Sequence, residues 1–157
     1  MSVAVHLGVI GPSDASPELL RVAAEVGRRA AAAGAVVFTG GLGGVMAAAS
    51  RGAADSGGLT VGLLPGLDRA AANPWVRLAI PTGLGELRNG LLVRSCDALV
   101  AVGCSWGTLS EVALAVRTGV PIVAIDCWEL PDGPVPAASA EAALAILAEL
   151  RILSGAG

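Results

Sequence analysis

Thr39-Gly40-Gly41-Leu42-Gly43-Gly44-Val45-Met46 places four glycines in five positions, between an apolar β-branched run and an alanine-rich run. Ala35-Val36-Val37-Phe38 ahead of it has the composition of a short buried strand, and Val45 to Ser56 behind it that of a helix. Strand, glycine turn and helix N-terminus together make an anion site. Glycine lets the backbone approach a ligand closely, and the first N–H groups of a helix lack partners within it. Phosphate is the usual occupant. The same glycines also suit a purely structural role, a tight turn that lets helix and sheet approach each other.

Outward from that turn, strand and helix signals alternate along the chain. Val3 to Ile10 reads as an apolar strand, followed by the loop Gly11-Pro12-Ser13-Asp14-Ala15. Ser16 as N-cap and Pro17 at the first helical position then start a helix that Gly34 closes. Gly57-Gly58 ends the second helix, Leu59 to Leu64 is a third strand, and Pro65-Gly66 terminates it. After a loop over 67–76, Val76 to Ile80 reads as a short fourth strand and Gly83 to Ser95 as a helix. Asp97 to Val102 is the fifth strand, Thr108 to Thr118 its helix with Gly119 as the stop, and Pro121 to Ile125 the sixth strand. A proline-rich loop from Trp128 to Pro136 leads to a last helix, Ala138 to about Arg151, and a frayed tail. Six apolar strands separated by helices predict an α/β fold: a single-domain, Rossmann-like, doubly wound parallel sheet over residues 1–157, with helices on both faces. Ligands bind such sheets beyond the carboxyl ends of the strands, which gathers the loops after strands one, two, four and five around one crevice.

Composition narrows the function. The chain has ten arginines, no lysine and a net charge of −3, so it offers neither a nucleic-acid patch nor a basic membrane arm. Without lysine there is no Walker lysine and no Schiff base, which excludes a P-loop NTPase and a pyridoxal-phosphate enzyme. The single histidine, His6, lies within the first strand and is a poor member for a Ser-His-Asp triad. Cys96, Cys104 and Cys127 have no C-x-x-C spacing, which argues against structural zinc and a disulfide scaffold and fits a reducing cytoplasm. Residues 30–50 carry no charge, but five glycines interrupt them, so they do not read as a membrane span. The first strand follows the N-terminus without a basic flank, so no signal peptide is expected. The chain is 54% apolar before its 22 glycines are counted, above the roughly 45–50% usual with glycine included. That excess predicts a subunit interface, hence a homo-oligomer, dimer or tetramer.

Two further stretches carry chemistry. In Val102-Gly103-Cys104-Ser105-Trp106-Gly107-Thr108-Leu109-Ser110-Glu111, Thr108 and Glu111 have capping-box spacing, which would make Glu111 a structural residue. The alternative is a carboxylate at the mouth of the crevice. Cys104, ahead of a helix N-terminus, is placed to react faster than Cys96 or Cys127, unless it simply fills a turn. In Thr82-Gly83-Leu84-Gly85-Glu86-Leu87-Arg88-Asn89, Arg88 falls in the first turns of a helix. Its guanidinium fork matches phosphate, though it also suits a solvated residue or a partner for Glu86.

Taken together, Gly40-Gly41-Leu42-Gly43-Gly44-Val45-Met46, Gly62-Leu63-Leu64-Pro65-Gly66, Glu86-Leu87-Arg88-Asn89 and Gly107-Thr108-Leu109-Ser110-Glu111 resemble the LOG-like superfamily, once mislabelled lysine decarboxylase. Within it they are most similar to the small bacterial branch that includes molybdenum cofactor carrier proteins. The resemblance covers about residues 3–126 and implies a phosphorylated, heterocycle-bearing ligand, a nucleotide or a molybdopterin-type cofactor, with no cofactor required. It implies phosphate-binding roles for Gly43, Gly44, Gly107 and Thr108, and site roles for Arg88 and Glu111. The wider candidate set round the crevice adds Gly11, Ser13, Gly41, Val45, Met46, Asn89, Gly103 and Cys104. In the enzymatic branch, which cleaves the N-glycosidic bond of cytokinin riboside monophosphates, Arg88 and Glu111 would be catalytic. This chain departs from that branch at Asn89, where the enzymes carry lysine, and around Cys104, where they carry a Pro-Gly-Gly loop. A carrier is therefore the leading expectation and a nucleoside 5′-monophosphate phosphoribohydrolase the alternative. Dinucleotide binding ranks below both, because Gly41-x-Gly43-x-x-Met46 lacks its third glycine and Val61 stands where an acidic residue is needed.

Overall fold

A computed structural model describes residues 3–153. Its elements are β1 (His6–Ile10), α1 (Pro17–Ala32), β2 (Val36–Thr39), α2 (Val45–Asp55), β3 (Thr60–Leu64), β4 (Leu78–Pro81), α3 (Arg88–Ser95), β5 (Ala98–Val102), α4 (Trp106–Thr118), β6 (Ile122–Ile125), β7 (Val135–Ala137) and α5 (Ala140–Glu149). The strands form one parallel sheet in the order β4-β3-β2-β1-β5-β6-β7. β3 and β5 are buried along their whole length, because helices cover both faces of the sheet. On one face α1, α2 and α5 pack over Leu7, Val9, Val37, Val100 and Val123. On the other, Leu92 and Val93 of α3 and Val112 and Ala115 of α4 cover Phe38, Val61, Leu63, Leu99 and Ala101. No helix among the described residues is long and apolar enough to cross a membrane.

Small residues set the spacing of the first layer. A Cβ on Gly27 of α1 would strike the Ala49 carbonyl of α2, and one on Gly52 of α2 would strike the Ala24 carbonyl of α1. The two helices thus touch backbone to backbone, which pulls α2 and the glycine turn ahead of it down against β1 and β2.

The expected α/β architecture is present, with several boundaries moved. The sheet has seven strands where the sequence predicts six. The extra one, β7, comes from the proline-rich segment, where Val135–Ala137 pairs with β6 at the sheet edge, a place that tolerates Pro136. The first strand begins at His6, not Val3, which is exposed. The fourth runs Leu78–Pro81, also at an edge, two residues later than expected. The Gly83 to Ser95 helix divides into a 3₁₀ turn, Gly85–Leu87, and α3, which starts at Arg88. Residues 154–157, where the frayed tail is expected, lie outside the described residues.

Strand order reverses between β1 and β5, so the crevice opens at the carboxyl ends of those two strands and of β2. β4 is too far along the sheet for its end to reach it. What returns to the crevice is α3, which crosses back over the sheet face, touches β1 and packs on α4.

Candidate functional site

The turn after β2 is held from three sides. The Gly41 N–H donates to Thr39 Oγ1 at 3.1 Å, the Gly41 carbonyl accepts from the Asn73 N–H at 2.8 Å, and Asn73 Nδ2 donates to the Leu42 carbonyl at 2.9 Å. Asn73 lies in the loop over 67–76 and drew no attention in the sequence, since a lone loop asparagine carries no motif. Gly44 is the N-cap of α2 with φ +61°, and a Cβ there would run into the Pro12 and Ser13 carbonyls. The Val45 N–H donates to the Pro12 carbonyl at 3.1 Å. The loop after β1 and the turn after β2 are therefore locked together.

These contacts separate the two readings of the glycines. Gly11 packs on Val102 and Val45, Gly41 on Leu64, Gly44 on the β1 loop and Gly103 on Leu19 and Pro12. Their missing side chains serve the fold. Around Gly43, by contrast, a Cβ would meet nothing within 4 Å, and at Gly107 only Ser105 Oγ at 3.8 Å. Those two face open space, at the N-termini of α2 and α4, where orphan N–H groups and the helix dipole favour an anion. α2 has no side-chain cap to compete for them.

The N-terminus of α4 lies one turn earlier than expected, which changes the meaning of Thr108 and Glu111. Ser105 is the N-cap; its Oγ accepts from the Thr108 N–H at 3.2 Å and lies 3.0 Å from Thr108 Oγ1. The Thr108 N–H, and likewise that of Val45, is thus already bonded within the protein. Glu111 takes no part in the cap and sits a turn into the helix, turned toward α3.

Arg88 meets it there. Both side chains are buried, at 8% and 7% residue exposure, and Arg88 Nη1 stands 3.8 Å from Glu111 Oε1. Arg88 Nη1 also donates to Asn89 Oδ1, and Nη2 donates to the Gly40 carbonyl at 3.3 Å, so this side chain ties α3 to the glycine turn. Asn89 Nδ2 donates to Ser110 Oγ at 3.1 Å, and Ser110 Oγ donates to the Gly107 carbonyl at 2.6 Å. Ser110 is a second residue that the sequence reading passed over, because its role depends on α3 lying beside α4. Glu86 is not the partner of Arg88 among the described residues.

Burial dominates the electrostatics. It pushes the Glu111 carboxyl up to about 8, with the Arg88 charge opposing only in part. Burial likewise lowers the Arg88 guanidinium, with Glu111 opposing. At neutral pH the site therefore holds a fixed cation beside a carboxylic acid that can still donate a hydrogen bond. Arg88 Nε is buried with no hydrogen-bond partner. Met46 is buried beside Gly40, Cys104 is half-buried, and Ser13 is exposed with its carbonyl against Gly44. No cluster of three or more metal-ligating side chains occurs among the described residues.

The parallel sheet with its switch-point crevice makes this a Rossmann-type fold, and its family match places it in the LOG-like superfamily. The chain belongs to the SLOG cluster4 family, whose profile matches residues 4–150. It is similar to the molybdenum cofactor binding protein of the phototrophic bacterium Rippkaea orientalis, with 34% identity over 96% of this chain and 99% of that one and a TM-score of 0.91. It is also similar to the molybdenum cofactor carrier protein of Chlamydomonas reinhardtii, with 34% identity over 95% of this chain and 98% of that one and a TM-score of 0.87. An uncharacterized protein of Archaeoglobus fulgidus is 40% identical over 77% of this chain and 80% of its own length.

Proposed function

We propose that this protein binds molybdenum cofactor as a carrier, and that the crevice at the ends of β1, β2 and β5 takes the phosphate of the molybdopterin. The observation that carries this reading is the orphaned Arg88 Nε. A buried N–H without an acceptor is unfavourable by about 1–3 kcal/mol, and more when the group is charged. A ligand oxygen that reached it, with the Arg88 side chain shifting to admit it, would remove that penalty and form a charge-assisted bond. Backbone N–H groups beside Gly43 and Gly107, with open space in front of them, would complete the cradle. Glu111, protonated near neutral pH, would donate to the ligand in place of repelling it. The Rippkaea orientalis and Chlamydomonas reinhardtii proteins, which match nearly the whole chain, bind or carry this cofactor, and that supports it over other phosphorylated heterocycles.

The carrier would act as a homo-oligomer. Leu87 and Leu91 of the α3 region and Leu114 of α4 are exposed, Leu87 at 74%, and they lie on adjoining helices next to the site. A second copy would cover this apolar face.

A second reading rests on the same carboxyl. An acid held near pKa 8 beside a phosphate-matched arginine is suited to protonating a leaving heterocycle, which favours a phosphoribohydrolase acting on nucleoside 5′-monophosphates. Titration of purified protein with molybdopterin and with adenosine monophosphate, followed by assay for ribose 5-phosphate, separates the two. The carrier reading expects tight molybdopterin binding, no release of ribose 5-phosphate, and affinity reduced about 10- to 100-fold in Arg88→Ala, the loss of one charge-assisted bond. Hydrolysis that depends on Glu111 would establish the second reading.

A further inference from the structure

Beyond the Arg88–Glu111 crevice, the ends of β5 and β6 hold an unassigned pair of thiols. The two strands run in parallel register with Val102 opposite Ile125. Two residues further on stand Cys104 and Cys127, both free and both half-buried. The residues between, Gly103 and Asp126, are opposite each other in that register, and both have left-handed backbone, φ +71° and φ +52°. For glycine this conformation is ordinary. For aspartate it is an uncommon, strained state that persists only where the surroundings impose it. Both segments therefore pass through positive φ at the same level, and they stay side by side after it. The Gly103 N–H still donates to the Ile125 carbonyl at 2.9 Å, and beyond the cysteines the Trp106 and Trp128 rings meet edge to face at 5.0 Å.

We infer that Cys104 and Cys127 form a dithiol site that a small-molecule disulfide oxidises to an intrachain disulfide. At the last rung, Val102 opposite Ile125, the strands stand about 4.8 Å apart, within the Cα separation of roughly 4.4–6.8 Å that a disulfide bridges, and the Gly103–Ile125 hydrogen bond and the Trp106–Trp128 contact hold the two segments together on either side of the cysteines. Burial pushes the Cys127 thiol up, and the neighbouring Cys104 adds to it. Cys96 is buried in the core beneath α3, out of reach of a soluble disulfide, which keeps it out of the exchange.

With glutathione disulfide as oxidant, the Cys104 thiolate attacks one glutathione sulfur and expels the first glutathione thiolate. Cys127, losing its proton to solvent, attacks Cys104 Sγ of the mixed disulfide and expels the second. The protein loses two protons and two electrons, and glutathione disulfide takes them up to become two glutathiones. The bond would fix the segment that leads into Ser105 and the N-terminus of α4. The inference does not depend on the identity of the cargo, because the test reads only the bond.

Full-length protein is equilibrated in glutathione buffers from reducing to oxidising, acid-quenched, alkylated and mapped by mass spectrometry of peptides. The expected result is an internal Cys104–Cys127 link reversed by dithiothreitol, with Cys96 alkylated and mixed disulfide on fewer than about a tenth of the chains, since the second thiol acts at high effective concentration. Cys104→Ser and Cys127→Ser should each retain one glutathione and form no link, while Cys96→Ser behaves as wild type. Stable glutathione adducts on both cysteines of the wild type, links between chains in place of the internal one, or no oxidation in the most oxidising buffer would overturn the inference.

Discussion

Replacing Glu111 by glutamine should make the protein more stable above about pH 5, with the gain growing until about pH 8. The carboxyl has a folded-state pKa of about 8 against an ordinary value of 4.5. Between those values the unfolded chain releases the proton and the folded chain retains it. The folded state then binds more protons, so its stability falls as pH rises, at about 1.4 kcal/mol per pH unit for one group. Over the 3.5 units the loss sums to the order of 5 kcal/mol, complete once pH exceeds 8. Glutamine has the same shape and no proton to lose, and it leaves the Ser105–Thr108 cap untouched. Urea denaturation of ligand-free wild type and Glu111→Gln at pH 5, 7 and 9 gives both curves, and every other titrating group cancels in their difference. The two proteins should lie close together at pH 5 and diverge by several kcal/mol at pH 9, with glutamine the more stable. Parallel curves, or a glutamine variant that weakens relative to wild type as pH rises, would show that the Arg88 charge holds Glu111 ionised and that burial does not dominate.

Gly43→Val should abolish cofactor binding with a melting temperature close to wild type, because its side chain would enter open space in front of the turn. Gly44→Ala should instead destabilise the fold by about 2 kcal/mol or more, since a Cβ at that positive φ strikes the Pro12 and Ser13 carbonyls; chemical denaturation distinguishes the pair. Ser105→Ala should lower stability by about 1 kcal/mol, the contribution of an N-cap. Leu87→Asp combined with Leu91→Asp should shift the sedimentation coefficient from oligomer to monomer; an unchanged value would place the subunit interface elsewhere.

Much of this was legible in the sequence because it depends on local patterns. Apolar strands bounded by glycine and proline, and Ser16-Pro17 opening α1, follow from residue chemistry over short spans. The likeness of Glu86-Leu87-Arg88-Asn89 and Gly107-Thr108-Leu109-Ser110-Glu111 to family motifs pointed to Arg88 and Glu111, which the structure brings together, whereas the capping-box spacing of Thr108 and Glu111 misled. What was not legible depends on neighbours far along the chain. Ser105 and Thr108 are both good N-caps three residues apart, and only the path of the loop after β5 decides between them. β7 is three residues long and contains proline, so it exists only because β6 offers an edge. Asn73 and Ser110 acquire roles from the turn after β2 and from α3. Adjacent glycines divide by role, Gly43 facing the open crevice and Gly44 the β1 loop, according to how α2 docks.

The central claim, that the crevice carries molybdenum cofactor, is tested most directly by what the protein holds when purified without oxygen from cells that make the cofactor. Oxidation of the sample converts molybdopterin to a fluorescent pterin that can be quantified against protein and against molybdenum. The account predicts pterin and molybdenum in near-equal amounts in wild type and neither above background in Gly43→Val. Wild-type protein free of pterin, or equal pterin in the two proteins, would contradict it.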